Sequence, residues 1–514
     1  MTDLDRRSFL KTSAAVAAGV AVVGGPFQGL VAGVANAGHT GLVPVPDMRD
    51  GKVRLHLPPL FEYRSFHDTE FPEQSRLDDG EGQIPGRHDG MGAFDGPGDD
   101  IILVRNHEIA GTGNRFADNG SVYDARARGG NTTVLVDRFG NAKSAIASLT
   151  GTMSNCSGGI MPWGSWISCE ETVNGPDVGD DFTRNFKDNP PGEAAQPEGS
   201  DPFEFDQNRA LEERHGYIFE VPTRGVSDGQ PIRSAGRFSH EAVAFDPKHG
   251  DLYLTEDDFG FPSGFYRYTP KRKAKKFDRI VDDGRLQMLA IRHQPNAHLE
   301  ENQVAGTTYE VEWVDIDEPD FNAGTPAPGA PPTMTNDQAI KYVASQGWQQ
   351  RKGAAYFSRL EGAHYDNGVV YFTSTQGGRA REPDPTEVTS PGGFGNGAGQ
   401  VWGYHIQSKQ LRVIYQSPSN AVLDLPDNIT TSPRGTIILC EDNAAPNYVR
   451  GLSQPGHLFD IALNQLTSRT GAPRQGDEFA GSTFSPDGHT LFVNIQAGNG
   501  MTFAIWGPWA SIGV

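Results

Sequence analysis

The chain has 514 residues, a formal charge of −21, 63 glycines, 36 prolines and three cysteines. That acidity argues against nucleic acid as a partner, because binding there relies on clustered Lys and Arg, and an odd cysteine count excludes a disulfide-rich scaffold. Abundant carboxylates suit an exported protein that concentrates Ca²⁺, but solubility alone accounts for the total, so the placement of particular acids has to decide.

The N-terminus reads "DRRSFLKTSAAVAAGVAVVGG" and then "VAGVANAGH". Arg6-Arg7, Phe9-Leu10-Lys11, a glycine-interrupted Ala/Val run and Ala35-Asn36-Ala37 make residues 1–37 a twin-arginine signal peptide with an A-x-A cleavage site. This predicts export to the periplasm or medium, with the twin-arginine machinery as partner and no retained membrane anchor. That route carries folded proteins, often with cofactors already inserted, which is a first hint of metal.

Residues 38–514 read as one all-β domain: short β-branched and aromatic runs lie between turn signals, without a sustained helical period. One unit recurs six times: "HDGMGAFDGPGDDIILVRNHE" (88–108), "SNCSGGIMPWGSWISCEE" (154–171), "SHEAVAFDPKHGDLYLTEDD" (239–258), "RLEGAHYDNGVVYFTSTQ" (359–376), "LPDNITTSPRGTIILCEDN" (425–443) and "FAGSTFSPDGHTLFVNIQ" (479–496). Cys156 to Glu170, Glu361 to Thr375, Asp427 to Glu441 and Ala480 to Asn494 are each 14 residues apart, and Glu241 to Glu256 is 15. A two-stranded unit with a tight turn returns such positions to one end. The six copies predict a six-bladed β-propeller, with seven blades or a pair of sandwiches as alternatives. Pro/Gly-rich stretches near 173–214, 316–351 and 379–399 read as insertions, the second holding a helix over 336–351 with Asn336 or Asp337 at its N-cap.

In a propeller the in-phase residues converge at one channel mouth. The repeat starts and ends place Glu108, Cys156, Glu170, Glu241, Glu256, Glu361, Asp427 and Glu441 there, with His107, His240, Asp257, Asn428 and Asp442 as neighbours. Seven carboxylates and a thiol would repel one another unless cations neutralised them. Oxygen ligands in that number suit Ca²⁺, and adding a thiolate admits iron or another transition metal. A lone acid at a strand end is usually a solvated turn residue; recurrence in phase is what distinguishes this set. His107 and His240 each adjoin a glutamate and so point to the opposite face, where they pack. Cys169 faces away from Cys156, which argues against a disulfide between them. Arg359, two residues before Glu361, either clamps a phosphate beside it or pairs with one of the acids. No GxSxG, HExxH, CxxC or P-loop motif occurs.

The segments "NCSGGIMPWGSWISCEE", "GRFSHEAVAFDP", "RNHE" and "SRLEG" resemble the PhoX-type exported alkaline phosphatases, over a span from about residue 60 to the C-terminus. The resemblance implies a six-bladed propeller, a centre of two irons and three calciums, and hydrolysis of small phosphate monoesters; separately, the chain is expected to be a monomer. It implies an iron-ligating Cys156, metal ligands Glu108, Glu170, Glu241 and Glu361, and catalytic roles for Arg359 and Glu361; Glu256, Asp427 and Glu441 rest on the repeat phase. The sequence departs from the better-known branch in "LYLTEDD" and "EGAHYDNG", which bears on substrate more than on metal. The rival readings are a Ca²⁺-dependent propeller lactonase or esterase, and a non-enzymatic Ca²⁺-stabilised scaffold.

Overall fold

Each repeated unit folds as an antiparallel hairpin because its alternating apolar strand halves are joined by residues that tolerate positive φ. In the fourth unit Asn367 and Gly368 have φ of 49° and 83° and make the two-residue turn between Asp366 and Val369. In the second, Pro162-Trp163-Gly164 turns between Met161 and Ser165, with Gly164 at φ 85°. The computed structural model describes residues 41–78, 82–118, 121–180, 207–258, 261–273, 279–349, 352–379, 395, 397–453 and 456–514. The signal peptide, most of the first insertion and residues 380–394 of the third lie outside them.

The hairpins are β1 (His88–Asp95) with β2 (Ile101–His107), β3 (Asn155–Met161) with β4 (Ser165–Glu170), and β5 (His240–Asp246) with β6 (Asp251–Glu256). They continue as β7 (Leu360–Asp366) with β8 (Val369–Ser374), β9 (Pro426–Thr431) with β10 (Ile437–Glu441), and β11 (Glu478–Phe484) with β12 (Thr490–Gln496). The first strands neighbour one another in turn, β1 beside β3, β3 beside β5, and so on until β11 lies beside β1. The arrangement is all-β and propeller-like. Apolar side chains between successive sheets, such as Ile167, Cys169, Leu254 and Met288, are fully buried and form the core, each worth roughly 1.5–3 kcal/mol for a large side chain.

The sheets depart from six separate blades. The third and fourth hairpins belong to one nine-stranded sheet, because the outer strands Thr308–Asp315 and Gln410–Gln416 pair through Thr308–Arg412, Tyr309–Leu411 and Glu310–Gln410. Joining two edges satisfies backbone groups that would otherwise stay open. The last hairpin is completed by Glu62–Phe66 from the start of the domain, which pairs with the C-terminal strand Met501–Trp506.

The expected helix forms as two short pieces, α1 (Asn336–Ile340) and α2 (Tyr342–Trp348). Its cap is Thr335, one residue earlier than expected: the Thr335 hydroxyl accepts from the Gln338 amide while the Gln338 side chain accepts from the Thr335 amide. Residues 350 and 351 are outside the described set.

Candidate metal centre

All six hairpins carry the same irregularity at the same place. His88 pairs with His107, yet the next pair is Met91 with Arg105, so two residues on β1, Asp89 and Gly90, face one on β2, Asn106. The shift recurs between Asn155 and Gly158, His240 and Val243, Leu360 and Ala363, Pro426 and Ile429, and Ala480 and Thr483. Each is a β-bulge, which bends the strand and re-aims a side chain. The first residue inside each bulge is Asp89, Cys156, Glu241, Glu361, Asp427 or Gly481. Four bulges are entered through a non-glycine residue in the left-handed region: Arg87, Ser154, Arg359 and Leu425, with φ of 46° to 49°. Such strain clusters where geometry serves function. The second strand closes the motif: the amides of Glu108, Glu171, Asp257, Thr375 and Asp442 donate at 2.8–3.1 Å to the carbonyls of Arg87, Ser154, Ser239, Arg359 and Leu425.

Side chains from these two positions, joined by Glu478 from the start of β11, make a continuous array. Donor atoms of Cys156, Glu171 and Glu241 lie within 4.8 Å of one another, as do those of Glu241, Glu361 and Asp427, and those of Asp427, Asp442 and Glu478. The three sets share Glu241 and Asp427, and every member except Asp442 is buried. Cys156 is 2 % exposed, and its thiol donates to the His240 carbonyl 3.1 Å away. Burial and then Glu241, Glu171 and Asp89 push that thiol up. Burial also raises Glu241, with Glu361 and Glu171 adding to it, and Glu361, with Asp257 and Asp427 adding and Arg359 opposing. One oxygen of Glu241, Oε2, is buried without a hydrogen-bond partner. Burial and mutual repulsion favour the protonated forms of these groups; a cation would favour the ionised forms and satisfy the orphaned oxygen. The residues therefore fit a metal centre: a thiol with carboxylates in one set suits iron, and the two all-oxygen sets suit calcium.

Arg359 sits inside this array. Its Nε donates to Asp257 at 3.1 Å, and its Nη2 donates to Asp257 at 2.9 Å and to Glu361 at 2.5 Å. The pairing alternative read from the sequence is thus present, and it holds the guanidinium beside the candidate ligands. Glu108 stands at the edge, where Gln496 donates to it at 2.5 Å and to Asp89 at 3.1 Å.

Three expected ligands point elsewhere. Glu170 accepts from the amides of Met153, Gly216 and Tyr217 at 2.9, 2.9 and 3.2 Å and contacts His215 Nδ1 at 2.6 Å. Glu256 accepts from the Gly264 amide and the Tyr266 hydroxyl at 2.7 and 2.8 Å. Glu441 accepts from the amides of Asp424 and Tyr448 and from Arg450 Nε, each at 3.1 Å. All three lie one residue before the inward position, and successive residues of a strand face opposite ways. They anchor loops, and the converging acids are their neighbours Glu171, Asp257 and Asp442. The strand-end doublets Glu170-Glu171, Glu256-Asp257 and Glu441-Asp442 were the available signal. Asp89 and Glu478 went unread; Asp89 stands in its repeat where Cys156 and Glu241 stand in theirs.

The histidines pack, as expected. Burial lowers His107 and His240 to about 3 each; His107 contacts the Gly86 carbonyl, and His240 stacks on Phe238 at 3.6 Å. All three cysteines are free and buried, so no disulfide joins Cys156 to Cys169.

Two sequence families match this chain. The twin-arginine translocation signal family matches residues 3–23, so the protein is exported by that pathway, to the periplasm or beyond. Among the described residues no helix is long and apolar enough to cross a membrane. The structure of Pseudomonas fluorescens PhoX in complex with vanadate, a transition-state analogue, superposes with a TM-score of 0.57 at 17 % identity, covering 91 % of this chain and 98 % of that one. XC5397 from Xanthomonas campestris, a gluconolactonase, covers 82 % of this chain at 11 % identity and 97 % of its own, but its TM-score of 0.33 carries no weight. No curated protein sequence matches. The pattern of the family described as alkaline phosphatase PhoX matches residues 41–147 and 139–499, which include every bulge residue above, and on that span the chain belongs to the PhoX alkaline phosphatase family.

Proposed function

We propose that this chain is an exported, metal-dependent phosphatase that hydrolyses phosphate monoesters at a centre of iron and calcium. The centre occupies the mouth of a six-bladed propeller built by residues 38–514 as one domain. The blade count is supported by six first strands that neighbour one another in a closed ring. The observation that carries the functional reading is the convergence of Cys156, Glu171, Glu241, Glu361, Asp427, Asp442 and Glu478, with Arg359 paired to Glu361 among them. All of them come from one chain, so a monomer suffices.

Cys156, Glu171 and Glu241 would hold iron; Glu241, Glu361 and Asp427, and Asp427, Asp442 and Glu478, would hold the further cations. When bound, these metals supply Lewis-acid activation of water and neutralise charge on the phosphoryl group. The chain's own part is positioning. Asp257 and Glu361 fix the plane of the Arg359 guanidinium, so that it donates to phosphoryl oxygens as charge builds on them. The bulges hold each donor on a strand rather than on a loop, and that limits reorganisation during turnover.

Two measurements test this reading. Purified mature protein is expected to hydrolyse p-nitrophenyl phosphate faster than bis(p-nitrophenyl) phosphate; the opposite order overturns the monoester assignment. Cys156→Ala is expected to lose iron and to lose activity by on the order of 100-fold, whereas full iron content in that variant contradicts the ligand role.

A further inference from the structure

Away from the mouth, a second set of ligand-type side chains converges on the segment between the strands Arg285–Ile291 and Thr308–Asp315. One donor atom from each of His298, Glu300 and Glu301 lies within 4.8 Å of the others. His298 Nδ1 is 2.6 Å from Glu300 Oε1, and the imidazole rests against the Tyr356 ring at 4.9 Å. Glu300 is 0 % exposed, and its second oxygen, Oε2, has no hydrogen-bond partner. Most buried polar atoms in proteins are hydrogen-bonded, so an orphan oxygen on a carboxylate that also meets an imidazole and a second carboxylate points to a missing cation.

We propose that His298, Glu300 and Glu301 form a binding site for a divalent transition metal of the zinc type, independent of the mouth centre. The donor set selects the class: an imidazole with two carboxylates suits zinc, whereas calcium takes oxygen ligands alone. Three protein ligands, two of them exposed, leave a fourth position for water. Zinc bonds of about 2.1 Å set tetrahedral donors about 3.4 Å apart, so the His298–Glu300 contact opens slightly while the exposed His298 and Glu301 side chains swing inward.

The site would act as a staple. The Gly378 amide donates to the Glu300 carbonyl at 2.7 Å, and Gln400 Nε2 donates to the Glu301 carbonyl at 2.9 Å. Gly378 lies just beyond Ser374, which pairs with Leu360 beside Glu361. A metal here would fasten that end of β8 without touching the mouth ligands.

Crystals of the mature protein, carrying its own metals, soaked in zinc chloride and measured at the zinc absorption edge, test the site. An anomalous peak bonded to His298, Glu300 and Glu301 is expected. In solution, wild type should take up one zinc per chain more than His298→Ala or Glu300→Gln, with iron and calcium contents equal in all three. Zinc confined to the mouth, or equal zinc uptake by wild type and both variants, overturns the proposal. The crystal arm uses unmodified protein, so a variant that fails to fold leaves it intact.

Discussion

At Glu170 four donors converge on one carboxylate, while the next side chain, Glu171, turns the other way toward Cys156 and Glu241. The two acids therefore separate by experiment. Glu170→Gln leaves His215, Gly216 and Tyr217 facing a weaker acceptor and is expected to cost about 3–5 kcal/mol of stability, read as a lower Tm even in metal-free protein. Glu171→Gln should leave the metal-free Tm nearly unchanged and lower iron content; iron loss confined to Glu170→Gln would reverse the assignment. The buried groups also set a pH dependence. Burial holds Glu256 up at about 8, and Glu170 and Asp124 hold His215 at about 9 against the effect of burial. Both folded values exceed the unfolded ones. Their contribution is thus fully present at low pH and is lost as pH rises through about 4.5 to 8 for Glu256 and about 6.5 to 9 for His215. Metal-free protein should accordingly unfold at lower denaturant at pH 9 than at pH 5; the reverse order would mean that these groups are already charged and solvated.

The element that repeats is a bulged hairpin, and the bulge explains what the sequence did and did not reveal. The spacing of 14 or 15 residues made the repeat and its convergence legible: Cys156, Glu241, Glu361 and Asp427 all occupy the bulge position. An inserted residue, however, shifts the alternation on one strand only, and nothing in the composition of "NCSGG" or "HEAVA" marks that shift. Counting straight along the hairpin then lands on Glu170, Glu256 and Glu441, one residue short, and a one-residue slip exchanges the two faces. In the first repeat a single acid follows the histidine, so Glu108 itself stands at the position that Glu171, Asp257 and Asp442 take in theirs. The bulges also bring neighbouring first strands close together. A Cβ on Gly362 would stand 2.7 Å from the Ile429 amide and 2.8 Å from the Asp427 carbonyl. Gly362→Ala is expected to destabilise by about 1–3 kcal/mol and to reduce bound calcium, because Asp427 must move; unchanged melting and metal content would show that the contact yields.

At the scale of the molecule, the all-β class, the export signal and the ring of units were readable, since each leaves a local signature. The strands outside the hairpins left a weaker one. The pairing of Thr308–Asp315 with Gln410–Gln416 joins segments about a hundred residues apart, and no periodicity announces a contact of that separation. The use of Glu62–Phe66 to complete the last sheet is non-local in the same way. What the ring achieves is to assemble, from distant stretches of chain, a group of buried acids whose mutual repulsion favours neutralisation by cations. Catalysis should therefore stand or fall with the metals. The direct measurement is p-nitrophenyl phosphate hydrolysis by the mature protein before chelation, after removal of iron and calcium, and after both are returned. Activity is expected to fall by on the order of 100-fold or more on removal and to recover only when both metals are restored; undiminished activity in protein free of both would contradict a metal-dependent phosphatase.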